Sequence, residues 1–146
     1  MPEEPAAPEL VRLVHKQAED ANRRDLDAVM DVFADDAIMT GATAYPPSEG
    51  RAAIRRFIED WFDAFGELHF EWEEVSDLGN GIVFGVLIQE GRLIGSAAHV
   101  EQREGWVYVW VGGLIARLET SYFDIAEGHA AAGRLAEERG ERPEFR

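Results

Sequence analysis

The sharpest acid in the sequence is Asp124, which closes an aromatic-rich stretch. Residues 106–124 read WVYVWVGGLIARLETSYFD. A carboxylic acid set among indole and phenyl rings has its charged form desolvated, which raises its pKa and suits it to general-acid work. The same residue opens an Asp-x-x-Glu pattern with Glu127, a capping box for a following helix, and the sequence leaves both roles open. Trp61, Phe65, Trp106, Tyr108 and Trp110 are candidates for a wall that stacks on a flat or polycyclic ligand; for each, core packing is the alternative. Glu101 and Arg103 would place an acid beside a cation if their strand turned them inward, and otherwise form a solvated or interfacial ion pair. His99 shares their face and His15 lies near the apolar edge of the first helix. Both are read as surface or interface histidines.

Other chemistries lack their signatures. No His or carboxylate grouping has metal-ligand spacing, no glycine-rich loop is built to cradle phosphate, and no G-x-S-x-G nucleophile turn occurs. With no cysteine, disulfides, thiolate metal sites and cysteine nucleophiles drop out together. The chemistry left is acid–base work without metal or organic cofactor. The chain carries 14 Lys+Arg against 29 Asp+Glu, a net charge of −15. That field repels phosphate backbones and anionic lipids, so neither nucleic acid nor membrane is an expected partner. No apolar run approaches the roughly 20 residues of a membrane span. The expectation is a soluble cytoplasmic protein that takes a small lipophilic molecule.

The elements that must position these residues can be read from their periodicity. At this length one domain buries about 70% of its unfolded surface. Residues 1–8 read as a loose Pro- and Glu-rich tail, 9–140 as the domain, and 141–146 as a charged tail. Leu10, Val11, Val14, Ala18 and Ala21 mark one face of a first helix. Asp25 caps a second, whose Leu26, Val29, Met30 and Phe33 recur at helical spacing before a short strand over 37–40. Ser48 is expected to cap a third helix carrying Ile54, Phe57, Ile58, Trp61 and Phe65.

From Gly66 the period changes to two. Leu68, Phe70 and Trp72 alternate with polar residues, and Gly79-Asn80-Gly81 turns the chain. Residues 82–88 are apolar on both faces, with Gly85 a bulge or a close approach. Glu90-Gly91 is read as the next turn. Gly105 is a candidate bulge that would swap the parity ahead of the aromatic run, and the direction of Glu101 and Arg103 depends on it. Trp106, Tyr108 and Trp110 share one face, Val107, Val109 and Val111 the other. The ring face is expected to line a deep apolar pocket and the valine face to meet a second copy of the chain. Gly112-Gly113 turns into a partner strand, and a last helix follows Asp124. The class is α+β: a curved antiparallel sheet, helices over one face, and a cone-shaped hollow between.

The order of elements, the FADDA step over 33–37 and the strand–Y-x-D–helix ending resemble the SnoaL-like branch of the nuclear transport factor 2-like superfamily. GLIAR at 113–117 and YFDIAEGHAAAGRLAEERG at 122–140 look like bacterial SnoaL-like proteins. The resemblance spans roughly 9–140 and implies the cone-shaped, cystatin-like fold, homodimers packed through their sheets, and a small-molecule pocket. The activities it implies are those of polyketide cyclases, ketosteroid isomerases, epoxide hydrolases and dehydratases, beside members that only bind. The enzyme signatures mostly do not carry over. Gly41 stands where the isomerases place their carboxylate base, Gln17 near their helix-one tyrosine, and Val83 and Gly85 where the epoxide hydrolases have Arg and Asp. Asp124 does match an acid kept at the pocket end of the last strand. Two readings remain: a cofactor-independent isomerase, cyclase or hydrolase of a lipophilic or polyketide-like substrate, and a non-catalytic dimeric binding module.

Overall fold

A computed structural model describes residues 7–41 and 45–141. The expected tails and the 41–50 loop therefore lie partly outside the described residues. Among these residues the order is α1 (Ala7–Asn22), α2 (Leu26–Asp31), β1 (Phe33–Thr40), β2 (Ser48–Glu49), α3 (Arg51–Asp63), β3 (Phe65–Gly79), β4 (Ile82–Leu93), β5 (His99–Val111), β6 (Leu114–Tyr122) and α4 (Ile125–Gly140). The strands form one curved sheet in the order β2-β1-β6-β5-β4-β3. The meander β3 to β6 is antiparallel, as the alternation and turns require, while β1 joins β6 in parallel.

Several boundaries differ from the periodicity reading, each for a local reason. Phe33 opens β1 instead of continuing α2, because α2 ends at a Val32 cap and Phe33 pairs with Ile115 on β6. Ser48 lies in β2, and Gly50, with φ 89°, stands at the N-cap of α3. Phe65 begins β3 rather than ending α3, since Ala64 already caps the helix. Glu90 and Gly91 stay in β4, and the chain turns only after Leu93. The Gly112-Gly113 hairpin forms as read. Both glycines have positive φ (60° and 83°), as a two-residue turn matching strand twist demands.

Extra residues enter the sheet in β1, β3 and β6, and none enters β4 or β5 where these two pair. The register slips by one in β3 between Trp72 and Glu74, and in β6 between Glu119 and Tyr122, where Ser121 takes φ 64°. The pairing of β4 with β5 runs unbroken from Ile82↔Val109 to Arg92↔His99. Bulges on flanking strands bend and twist the sheet while its centre keeps strict alternation. Gly105 therefore carries no bulge of its own, and Glu104, not Arg103, shares the face of Trp106.

Two apolar clusters result. On the concave side α1, α2 and α3 pack onto Phe70, Val83, Leu87, Trp106, Tyr108, Trp110 and Leu118. On the convex side α4 lays Ala132 and Ala136 against Ile82, Phe84, Val86 and Val107, with Val109 at the edge. Within the chain α4 therefore covers the valine face at Val107 and in part at Val109, while Val111 stays 49% exposed. Beyond α4 the convex sheet is charged, and Arg103 grips Glu73 there at 2.6 Å.

Candidate active site at the mouth of the cone

The aromatic residues of β5 face inward and are packed solid. Trp106 meets Trp72 edge-to-face at 5.8 Å, Tyr108 stacks on Trp110 at 6.0 Å, and Trp61 of α3 lies 6.3 Å from Trp106. Each ring placed so contributes about 1.5–3 kcal/mol by burial. Gly85 makes the arrangement possible, because a Cβ there would come within 2.5 Å of the Trp72 ring. The Tyr108 hydroxyl donates to Gln17 Oε1 at 2.9 Å, and Gln17 Nε2 donates to the Val29 carbonyl at 3.3 Å. Burial pushes the Tyr108 phenol far up. The hollow left among these rings is about 40 Å³, room for water rather than for a polycyclic ligand. The apolar pocket expected here is present but small, bordered by Trp61, Trp106 and Tyr108.

Space opens one step outward. A cleft of about 500 Å³ is lined by Tyr45, Phe57, Asp60, Trp61, Gln89, Gln102, Glu104, Thr120, Ser121 and Phe123. That volume falls within the common range for small-molecule sites, roughly 300–1,000 Å³. Glu104 forms its floor with only 2% of its surface exposed. Trp106 Nε1 donates to Glu104 Oε1 at 2.6 Å. The Ser121 backbone and the Gln89 side chain also favour its charged form. Burial nevertheless wins and holds the Glu104 carboxyl above its ordinary range, the donors only moderating the shift. Beside it the Tyr45 hydroxyl bonds Thr120 Oγ1, which in turn donates to the Thr40 carbonyl at 3.2 Å. Burial raises the Tyr45 phenol, and the Glu104 charge adds to the effect. Trp61 borders the inner hollow and the outer cleft alike, so its indole is the partition between them.

The residues singled out from sequence fall into three groups. Trp61 and Trp106 border the inner hollow with Tyr108, and Trp61 also borders the cleft. Phe65 lines a small side groove next to Trp61, and Trp110 is fully buried core whose Nε1 finds no acceptor among the described residues. Glu101 and Arg103 are exposed on the convex face, away from the rings. Asp124 is exposed too: its side chain accepts from the Glu127 N–H at 3.1 Å and caps α4. Of the final Tyr-Phe-Asp, Tyr122 packs toward α4, Phe123 reaches the cleft mouth, and Asp124 does neither. Glu104 is among the residues that line the cleft and Asp124 is not.

Sequence reasoning passed over Glu104 because it stood in a polar stretch, 101–104, beside a glycine that suggested a parity swap. Alternation back from Trp106 reaches it only once the unbroken pairing of β4 with β5 is known. Pairing of β4 with β5 also brings donor atoms of Glu90, His99 and Glu101 within 4.8 Å of one another on the outer surface. His99 and Glu101 are neighbours on one face of β5, and Glu90 joins them through the register Glu90↔Glu101.

Residues 14–118 match the family model described as a SnoaL-like domain. No curated protein sequence matches the chain. Solved structures with the same fold include an NTF2-like protein of unknown function from Burkholderia pseudomallei (18% identity, TM-score 0.71, covering 82% of this chain and 93% of that one). A Mycobacterium tuberculosis protein in complex with estradiol-17beta-hemisuccinate is similar at 18% identity and TM-score 0.68, over 80% of this chain and 95% of that one. An epoxide hydrolase/cyclase-like enzyme of pyran-ring formation in the polyether salinomycin is similar at 22% identity and TM-score 0.66, over 75% and 86%. The match over most of the chain, on a curved sheet cupped by helices, makes this protein a member of the SnoaL-like domain family within the NTF2-like fold.

Proposed function

We propose that the chain is a small-molecule enzyme whose cleft presents Glu104 as proton donor and acceptor to a lipophilic, polyketide-like substrate. The observation that carries this reading is a carboxyl 2% exposed at the floor of a cleft of about 500 Å³. A carboxyl raised by burial delivers a proton to a developing oxyanion and takes one back from carbon or water. Isomerisation, aldol-type cyclisation and water addition all need only that exchange. The steroid ester bound by the mycobacterial relative and the cyclase-like role of the salinomycin enzyme support a lipophilic substrate. Domain limits of 9–140 and a cytoplasmic setting belong to the same proposal. Homodimerisation through the sheet belongs to it as well, narrowed to the part that α4 leaves open around Val111, which is 49% exposed.

A binding-only reading is favoured by one observation: Glu104 Oε1 is already engaged by Trp106 at 2.6 Å. The two readings separate when wild type and Glu104→Gln are incubated with lipophilic ketones, epoxides and polyketide mimics and products are followed by mass spectrometry. The enzyme reading expects conversion by wild type and a loss of roughly 100-fold or more in the variant. Ligands that bind both proteins with none converted would establish the binding module instead.

A further inference from the structure

Resting on the reading of the cleft as the ligand site, we propose that its ligand carries a positive charge: a lipophilic amine or quaternary ammonium compound. The walls and floor point to this charge independently. Tyr45, Phe57 and Trp61 form a continuous aromatic wall, with centroids 4.5 Å apart for the first pair and 6.4 Å for the second, and Phe123 stands at the mouth. Ring faces carry negative electrostatic potential, so they attract an organic cation beyond what they offer a neutral ligand of the same shape.

The polar groups agree in sign. Glu104 and Asp60 are the ionisable acids of the cleft, and no lysine, arginine or histidine is among the described residues that line it. Neither acid joins the ion pairs found among the described residues, which occupy Glu9, Asp20, Asp27, Asp35, Glu59, Glu73, Glu90 and Glu119. A buried carboxylate with hydrogen-bond donors but no counter-charge gains most from a ligand that brings one. An ammonium group near Glu104 supplies it, while its hydrocarbon part lies along the rings. An anionic ligand meets two carboxylates and a chain of net charge −15, which also slows its approach.

The test is a matched series on one skeleton: phenylbutylamine, phenylbutanol and phenylbutyrate, titrated into the full chain at neutral pH and followed by calorimetry and tryptophan fluorescence. The amine is expected to bind about tenfold or more tighter than the alcohol, with the carboxylate weakest and the amine's advantage shrinking in high salt. Glu104→Gln is expected to narrow the amine-to-alcohol ratio about tenfold. If that variant does not fold, Asp60→Asn at the exposed rim still narrows it, by about twofold. Equal binding of amine and alcohol, or preference for the carboxylate, overturns the cation assignment and leaves the cleft as a ligand site. Failure of all three to bind overturns both.

Discussion

Trp106 Nε1 donates to Glu104 Oε1 at 2.6 Å, between residues two apart on β5 that face the same side of the sheet. One indole therefore both excludes water from the acid and stabilises its charged form. Trp106→Phe keeps much of the apolar cover and deletes the donor. The Glu104 carboxyl is expected to rise further above its ordinary value, as a carboxyl-carbon NMR titration of the variant against wild type would reveal. A fall or no change would mean that another group sets its protonation.

The raised Glu104 also fixes the sign of a stability change with pH. In the unfolded chain it titrates near the ordinary 4.5, and in the folded chain at a higher value. Between the two, the native state keeps a proton that the unfolded state has released, so stability falls as pH rises through that window and stays lower above it. Glu104→Gln removes this dependence. Its melting temperature relative to wild type is expected to climb by a few degrees from acid to neutral pH; a parallel pair of curves would refute the linkage.

Asp124 is treated by the fold as a helix cap. Asp124→Ala is expected to lower stability by about 1 kcal/mol and Asp124→Asn by less, because Asn still accepts from the Glu127 N–H. Ligand affinity and any conversion in the cleft stay at wild-type level in both variants. Lost conversion in a fully folded Asp124→Asn protein would return the acid role to this residue.

Gly85 lies under the Trp72 ring, with only 2.5 Å available to a Cβ. Gly85→Ala forces that indole to move and with it the edge-to-face contact to Trp106 at 5.8 Å. Urea denaturation is expected to show a loss of about 1–3 kcal/mol, together with an altered near-UV circular dichroism band. Unchanged values for both would mean the ring has slack that the packing does not suggest.

Much of this fold was legible from patterns with strong local causes. The 3.6-residue stripe of α3, the alternation of β3 and the glycine pair after Val111 each act through neighbouring residues, and each was read correctly in type. What escaped was decided at a distance. The Ser121 bulge sits on β6, so nothing in the β5 sequence reveals that β5 itself runs straight and turns Glu104 inward. The α4 helix presents small residues, Gly128, Ala132 and Ala136, which give little apolar signal yet allow close approach to Phe84 and Val107. That unobtrusive face is why the cover over Val107 does not show in the sequence pattern. Asp124 was recognised as both a cap and an acid candidate, and only tertiary placement, outside the cleft, separates those roles.

The most direct test of the account is a site-resolved carboxyl titration of Glu104 in the wild-type chain, repeated with a ligand filling the cleft. Glu104 is expected to titrate clearly above the surface glutamates, and the ligand to displace its signal and its midpoint while the Asp124 signal stays unmoved. A Glu104 that titrates with the surface acids, or a ligand that moves Asp124 and leaves Glu104 untouched, would contradict it.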